Sequence, residues 1–140
     1  MRKIFVCVMS LFVSMLTACN GSKAYASSEP GSSGTPSYQK ISAEKAKEMM
    51  DSGRPHVLLD VRSEGEFTTK RIDGALLIPD YEISERATAE LPDKSALILI
   101  YCRSGRRSAI AARKLIRSGY TNVYDFGGIN DWPYATVSGK

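Results

Sequence analysis

From Tyr38 onward, short runs of consecutive apolar residues alternate with stretches in which apolar residues recur three or four places apart. A continuous run marks a strand buried on both faces, and the wider spacing marks a helix with one buried side. Ser42 caps a predicted helix on which Ala43, Ala46, Met49 and Met50 share a face and which stops at Gly53. His56-Val57-Leu58-Leu59-Asp60-Val61 predicts a buried strand, and Ala75-Leu76-Leu77-Ile78 predicts another, closed by Pro79. Tyr81 to Leu91 predicts a weaker second helix. Ala96-Leu97-Ile98-Leu99-Ile100-Tyr101 is the strongest strand signal. It runs directly into Cys102, a short basic loop, and a helix from about Arg107 to Ser118 that Gly119 ends. Asn122-Val123-Tyr124-Asp125 predicts a last short strand. This order predicts an α/β fold whose sheet is mainly parallel, with helices on both faces.

The chain before Tyr38 reads differently. Residues 1–18 place Arg2-Lys3 ahead of a short apolar run from Ile4 to Leu16, the pattern of an export signal peptide. A membrane-spanning helix needs about 20 apolar residues, and this run is shorter. It ends in Leu16-Thr17-Ala18-Cys19, which resembles the lipobox of bacterial lipoproteins, where the cysteine is lipidated and becomes the new N-terminus. The alternative is an ordinary secretory signal cut elsewhere, for example after Ala24-Tyr25-Ala26. Asn20 stands where an aspartate would retain many lipoproteins at the inner membrane of a Gram-negative cell. The expected location in such a host is therefore the periplasmic face of the outer membrane. Residues 19–37 become the lipidated N-terminus and a Ser/Gly/Pro-rich tether, roughly 20–25 Å in random-coil span. Residues 38–140 form the one domain.

Charge and cysteine content narrow the function. The net charge is +4, and two of the basic residues lie in the signal, so nucleic acid is not an expected partner. His56 is the single histidine and no cysteines are paired in sequence, so neither a metal site nor a cofactor is expected. With Cys7 in the signal and Cys19 lipidated, Cys102 is left alone and no disulfide framework explains it.

Cys102 follows the longest buried strand and precedes a helix. In open parallel sheets that is where ligands bind, beyond the carboxyl ends of the strands. The loop Cys102-Arg103-Ser104-Gly105-Arg106-Arg107-Ser108 places three guanidinium groups near one sulfur, and Gly105 lets the backbone curl so that successive N–H groups converge. Helix N-termini and cations both favour a thiolate. Arg62 follows the first buried strand, either as an anion contact at the same mouth or as an ion-pair partner of Glu64 or Glu66. Asp60 is expected to hold that loop by accepting backbone hydrogen bonds. Trp132 and Phe126 are expected in the core.

Three segments carry a family resemblance. Leu59-Asp60-Val61-Arg62, Glu66-Phe67 and Ile72-Asp73-Gly74-Ala75-Leu76-Leu77-Ile78-Pro79 are similar to the first signature of single-domain rhodaneses. Tyr101 to Ser108 resembles their active loop, and Gly127-Gly128-Ile129-Asn130-Asp131-Trp132 resembles their closing motif. Lys70-Arg71 departs from the Gly-His usual before the isoleucine, at a place remote in sequence from the cysteine loop. The resemblance implies a rhodanese-like fold with a five-stranded, mainly parallel central sheet. It implies a sulfurtransferase in which Cys102 takes a sulfur from a small anionic donor such as thiosulfate and passes it, as a persulfide, to a thiol or to cyanide. Arg103, Ser104, Gly105, Arg106 and Arg107 would then form the persulfide-binding loop.

Rival readings are a persulfide carrier, a non-catalytic rhodanese docking module of the cell envelope, and a phosphatase. Dual-specificity phosphatases of the cell-cycle type use a C-x5-R loop. Here the sixth residue after Cys102 is Ser108, and the arginine comes one place early, at Arg107. A loop one residue shorter suits a sulfur atom better than a phosphate.

Overall fold

The computed structural model describes residues 36–139. The strands are β1 (Gln39–Lys40), β2 (Val57–Asp60), β3 (Leu76–Leu77), β4 (Ile98–Cys102) and β5 (Val123–Gly128). The helices are α1 (Ala43–Asp51), α2 (Glu64–Thr69), α3 (Ile83–Glu90) and α4 (Arg106–Arg117), and a 3-10 turn follows at Ile129–Asp131. The five strands form one sheet in the order β1-β5-β4-β2-β3, and every neighbouring pair is parallel.

Alternation along β4 assigns the two faces of the sheet. Ile98, Ile100 and Cys102 point to one side, where they meet Ile83 and Ala87 of α3 and Ala111, Ala112 and Leu115 of α4. Leu97, Leu99 and Tyr101 point to the other, against Ala46 and Met49 of α1, Phe126 and Trp132. Both faces are therefore covered, and all five residues of β4 are buried. Helix α1 is capped at Ser42, whose hydroxyl accepts the Lys45 amide, as its sequence pattern requires.

Two elements were not expected from the apolar pattern. Strand β1 is two exposed residues that pair with β5 as an edge. Helix α2 buries no residue, and a reciprocal capping box between Ser63 and Glu66 starts it. The expected helix at Tyr81 begins two places later, at Ile83, because Pro79, Asp80 and Tyr81 form a turn in which the Glu82 amide donates to the Pro79 carbonyl.

The chain leaves β2 toward β3 on one side of the sheet and leaves β4 toward β5 on the other. The carboxyl ends of β2 and β4 therefore flank the topological switch point, where a crevice opens in folds of this kind. Arg62 follows one of those ends, and Cys102 closes the other. The signal peptide, Cys19 and most of the tether expected in residues 1–37 lie outside the described residues.

Candidate functional site

Beyond β4 the backbone turns sharply at Gly105, which has φ +94° and stands at the N-cap of α4 with no side-chain cap. A left-handed φ there favours glycine. The uncapped first turn of α4 and the loop before it face the Cys102 sulfur. The Gly105 amide donates to Sγ at 3.0 Å.

Burial pushes the Cys102 thiol up, since the residue is 1% exposed. The Ser108 amide and hydroxyl, then the Ser104 and Gly105 amides, outweigh that penalty and leave the thiol below its ordinary value. The groups that stabilise the thiolate are thus mostly backbone N–H dipoles. Ser108 is a residue that the loop pattern did not single out. It is fully buried, and its hydroxyl lies within 3.1 Å of the Gly105 carbonyl and 3.3 Å of the Gly127 carbonyl.

The closing motif supports the loop from beneath. Between Ile100 and Cys102 the register with β5 shifts, from Ile100 opposite Asp125 to Cys102 opposite Gly128, which makes a bulge at Phe126-Gly127. A Cβ at Gly128 would lie 2.6 Å from the Ser104 Cα and closer still to the Arg103 carbonyl. Glycine is required there because two backbones touch. The Asn130 amide also donates to the Arg103 carbonyl at 3.2 Å. Asp125 is fully buried and accepts the Gly127 amide at 2.9 Å, which holds the bulge.

The three loop arginines have different environments. Arg107 is held by Glu66 through two contacts of 2.8 Å, so its fork is occupied rather than free for an incoming anion. Arg103 and Arg106 are exposed, and neither is paired with a carboxylate among the described residues.

Arg62 pairs with neither Glu64 nor Glu66 and is no free anion contact. It is 4% exposed and grips Asp60 through Nε at 3.0 Å and Nη2 at 2.7 Å, with Nη2 also donating to the Lys70 carbonyl. Burial opposes its charge, and Asp60 more than compensates, leaving Arg62 above its ordinary value. A partner two residues away allows the side chain to fold back over its own turn. Asp60 also accepts the Arg62 backbone amide at 2.9 Å, the loop-supporting bond expected of it. The pair lies beside Tyr101, whose hydroxyl accepts the Ile72 amide at 3.2 Å and is pushed up by burial and by the Asp60 charge. Trp132 and Phe126 are buried and in ring contact, and His56 is exposed at the opposite end of the sheet. Among the described residues no cluster of side chains has the composition of a metal site.

Comparison with known proteins places this arrangement. The rhodanese-like domain family matches residues 42–134. The chain is 36% identical over 81 residues to the thiosulfate sulfurtransferase PspE of Escherichia coli, a match covering 58% of this chain and 78% of PspE. It is 31% identical over 100 residues to the adenylyltransferase and sulfurtransferase UBA4 of Candida albicans, a match covering 66% of this chain and 23% of UBA4. The chain therefore corresponds to less than a quarter of that longer protein. Among solved structures, a rhodanese with anions from E. coli aligns with TM-score 0.57 at 34% identity, over 60% of this chain and 99% of that one. A rhodanese-like domain protein from Staphylococcus aureus aligns with TM-score 0.62 at 26% identity, over 73% of this chain and 99% of that one. With most of the domain matched in sequence and the same fold found in solved rhodaneses, this chain belongs to the rhodanese-like domain family, among sulfurtransferases.

Proposed function

We propose that the protein moves a sulfane sulfur from thiosulfate or a similar anionic donor to a thiophilic acceptor through a persulfide on Cys102. The observation that carries this reading is the Gly105 amide 3.0 Å from a buried Sγ, within a nest that favours the thiolate. In the first step the thiolate attacks the outer sulfur of thiosulfate. A new S–S bond forms, the donor's S–S bond breaks, and sulfite departs with the electron pair. In the second step the acceptor thiolate attacks the outer sulfur of the persulfide, and the pair returns to Cys102 Sγ. The cysteine is anionic before and after the cycle and the persulfide is anionic within it, so one fixed set of N–H dipoles serves every stage.

The loop geometry also disfavours the phosphatase reading, because Ser108 stands where that loop needs arginine and Arg107 is engaged by Glu66. Mass spectrometry of the protein after thiosulfate treatment is the direct test. One added sulfur atom on Cys102, absent from Cys102→Ser, is expected. Turnover by the serine variant excludes the persulfide, since serine cannot form one. We propose further that the domain works at the cell envelope, tethered by a lipid on Cys19. The sequence of residues 1–20 supports this reading.

A further inference from the structure

Between Ile100 and Cys102 of β4, strand β5 carries an extra residue, and the extra residue of a bulge has no ladder partner of its own. Gly127 stands in this bulge with φ +90°, and its amide donates to Asp125 Oδ1 at 2.9 Å. Asp125 is fully buried. Its second oxygen, Oδ2, has no hydrogen-bond partner among the described residues, and the exposed Lys40 brings its Nζ only to 4.0 Å. A buried carboxyl that is half satisfied is less stabilising than an apolar side chain of the same size. Stability of the core therefore does not explain Asp125. The one hydrogen bond its side chain makes, to the Gly127 amide, does.

Gly127 lies beneath both groups that face the sulfur. A Cβ on Gly105 would come within 3.3 Å of the Gly127 Cα, so the two backbones are packed together. The Gly127 carbonyl also accepts the Ser108 hydroxyl at 3.3 Å. The Gly105 amide in turn donates to Cys102 Sγ at 3.0 Å. Against the cost of burial, the Ser108 amide and hydroxyl and the Ser104 and Gly105 amides hold the thiol below its ordinary value. A displaced Gly127 would shift Gly105 and Ser108 together.

We infer that Asp125 is a positioning residue for the chemistry of Cys102: by fixing Gly127 it keeps the Gly105 amide and Ser108 in place against Sγ. It acts through the Gly127 peptide and touches neither the sulfur nor its donor. The inference rests on Cys102 as the reacting group and adds a supporting residue to the sulfur-transfer reading above. Charge and position act here in opposite senses. A nearby carboxylate disfavours a thiolate, so removing its charge alone makes Cys102 easier to ionise. Losing the anchor of Gly127 makes it harder.

That opposition supplies the test. Iodoacetamide alkylation of Cys102 in the full-length protein, followed across pH by peptide mass spectrometry, reads the thiol, and urea unfolding reads the fold. Asp125→Ala should raise the alkylation midpoint by about 0.5 pH unit, part of the worth of one hydrogen bond. Sulfur loading from thiosulfate, read by mass spectrometry, should fall about fivefold in the same protein. Asp125→Asn keeps an oxygen for the Gly127 amide, so its midpoint should be no higher than wild type and its loading should recover. Lys40→Gln should leave both readouts unchanged, whatever it does to urea unfolding. If the alanine protein does not fold, Asp125→Leu takes its place, filling the space without an acceptor. A midpoint that is unmoved or lowered in the apolar variant overturns the inference, and so does one raised equally by asparagine. Failure of both apolar variants to fold assigns Asp125 to the fold and overturns it as well. Wild type that takes no sulfur from thiosulfate counts against the persulfide reading alone, while the alkylation midpoint still decides the role of Asp125.

Discussion

Arg107, in the first turn of α4, forms a two-pronged ion pair with Glu66 of α2, with both contacts at 2.8 Å. The same carboxylate accepts the Ser63 amide at 3.1 Å and closes the capping box of α2. One side chain thus ties an otherwise unburied helix to the start of the helix that faces Cys102. The Arg107 guanidinium, set against the cost of burial and aided by Ser63, holds the Glu66 carboxyl down to about 2.

Glu66→Gln should therefore lower stability near neutral pH by about 2 kcal/mol, within the range for losing a charge-assisted pair. The Glu66 carboxyl has a folded value of about 2 against an ordinary 4.5, so its stabilisation is present above the ordinary value and fades as pH falls toward 2. Urea unfolding of both proteins across that range should show the gap closing on acidification. A gap independent of pH would mean the pair contributes nothing through charge.

Gly128→Ala should damage the loop more than the fold. The added carbon meets backbone at Arg103 and Ser104, which cannot rotate away as a side chain can. Overpacking of this kind costs about 1–3 kcal/mol, and the loop must shift to relieve it. Sulfur loading of Cys102 should fall at least about tenfold, because displacing catalytic groups by about 1 Å can cost ~100-fold. Circular dichroism should stay near wild type. Normal loading by this variant would show that the loop tolerates a different path.

Ser108→Ala should move the alkylation of Cys102 toward higher pH. The hydroxyl is one of the groups that pull the thiol down against burial, and the backbone amides remain to supply the rest. Iodoacetamide rate profiles should shift upward in midpoint, with activity at pH 7 lower by about two- to fivefold, the loss expected for one hydrogen bond. An unmoved profile would assign the thiolate to the amides alone.

Much of this architecture was legible before any coordinates. A run such as Leu97 to Tyr101 can only be a fully covered strand or a core helix, and flanking residues decide for strand. Cys102 at the end of that strand, with Gly105 beyond it, pointed to the loop in which the Gly105 amide donates to the cysteine sulfur. What could not be read follows from how each element is held. Gln39-Lys40 has no pattern of its own and is a strand only because β5 offers an edge. Helix α2 lacks an apolar stripe, and Ser63-x-x-Glu66 was its one sequence signal. The contact between Glu66 and Arg107 joins residues 41 positions apart, beyond any local periodicity. Arg62 was expected at the anion or on a glutamate, and Asp60, two places back, took it instead.

Cys19 supports a separate prediction on residues that the described structure does not reach. A lipoprotein carries two or three acyl chains, and stable anchoring takes at least two membrane signals. Wild-type protein should partition into detergent with a blocked N-terminal Cys19, and Cys19→Ser should remain unprocessed or leave the membrane fraction. Mature protein that is soluble and starts downstream of Cys19 would identify an ordinary secretory signal.

The loop arginines should separate by environment. Arg103 and Arg106 are exposed and free of carboxylate partners among the described residues, whereas Arg107 is spent on Glu66. A unit charge about 4 Å from an anion contributes ~1 kcal/mol in water and more near protein. Arg103→Gln and Arg106→Gln should each lower the second-order rate of loading from thiosulfate about fivefold, as 1 kcal/mol implies. Salt should slow wild type in the same way, since the Debye length is about 8 Å at physiological ionic strength. Arg107→Gln should behave differently, costing stability as Glu66→Gln does, and combining the two should add little because they remove one interaction. An uncharged sulfur donor serves as the control, and its rate should change much less for Arg103 and Arg106. Should charged and neutral donors respond alike to both substitutions, the guanidinium groups have no part in attraction. The anion would then be held by the amides of Ser104, Gly105 and Ser108, which no side-chain substitution removes.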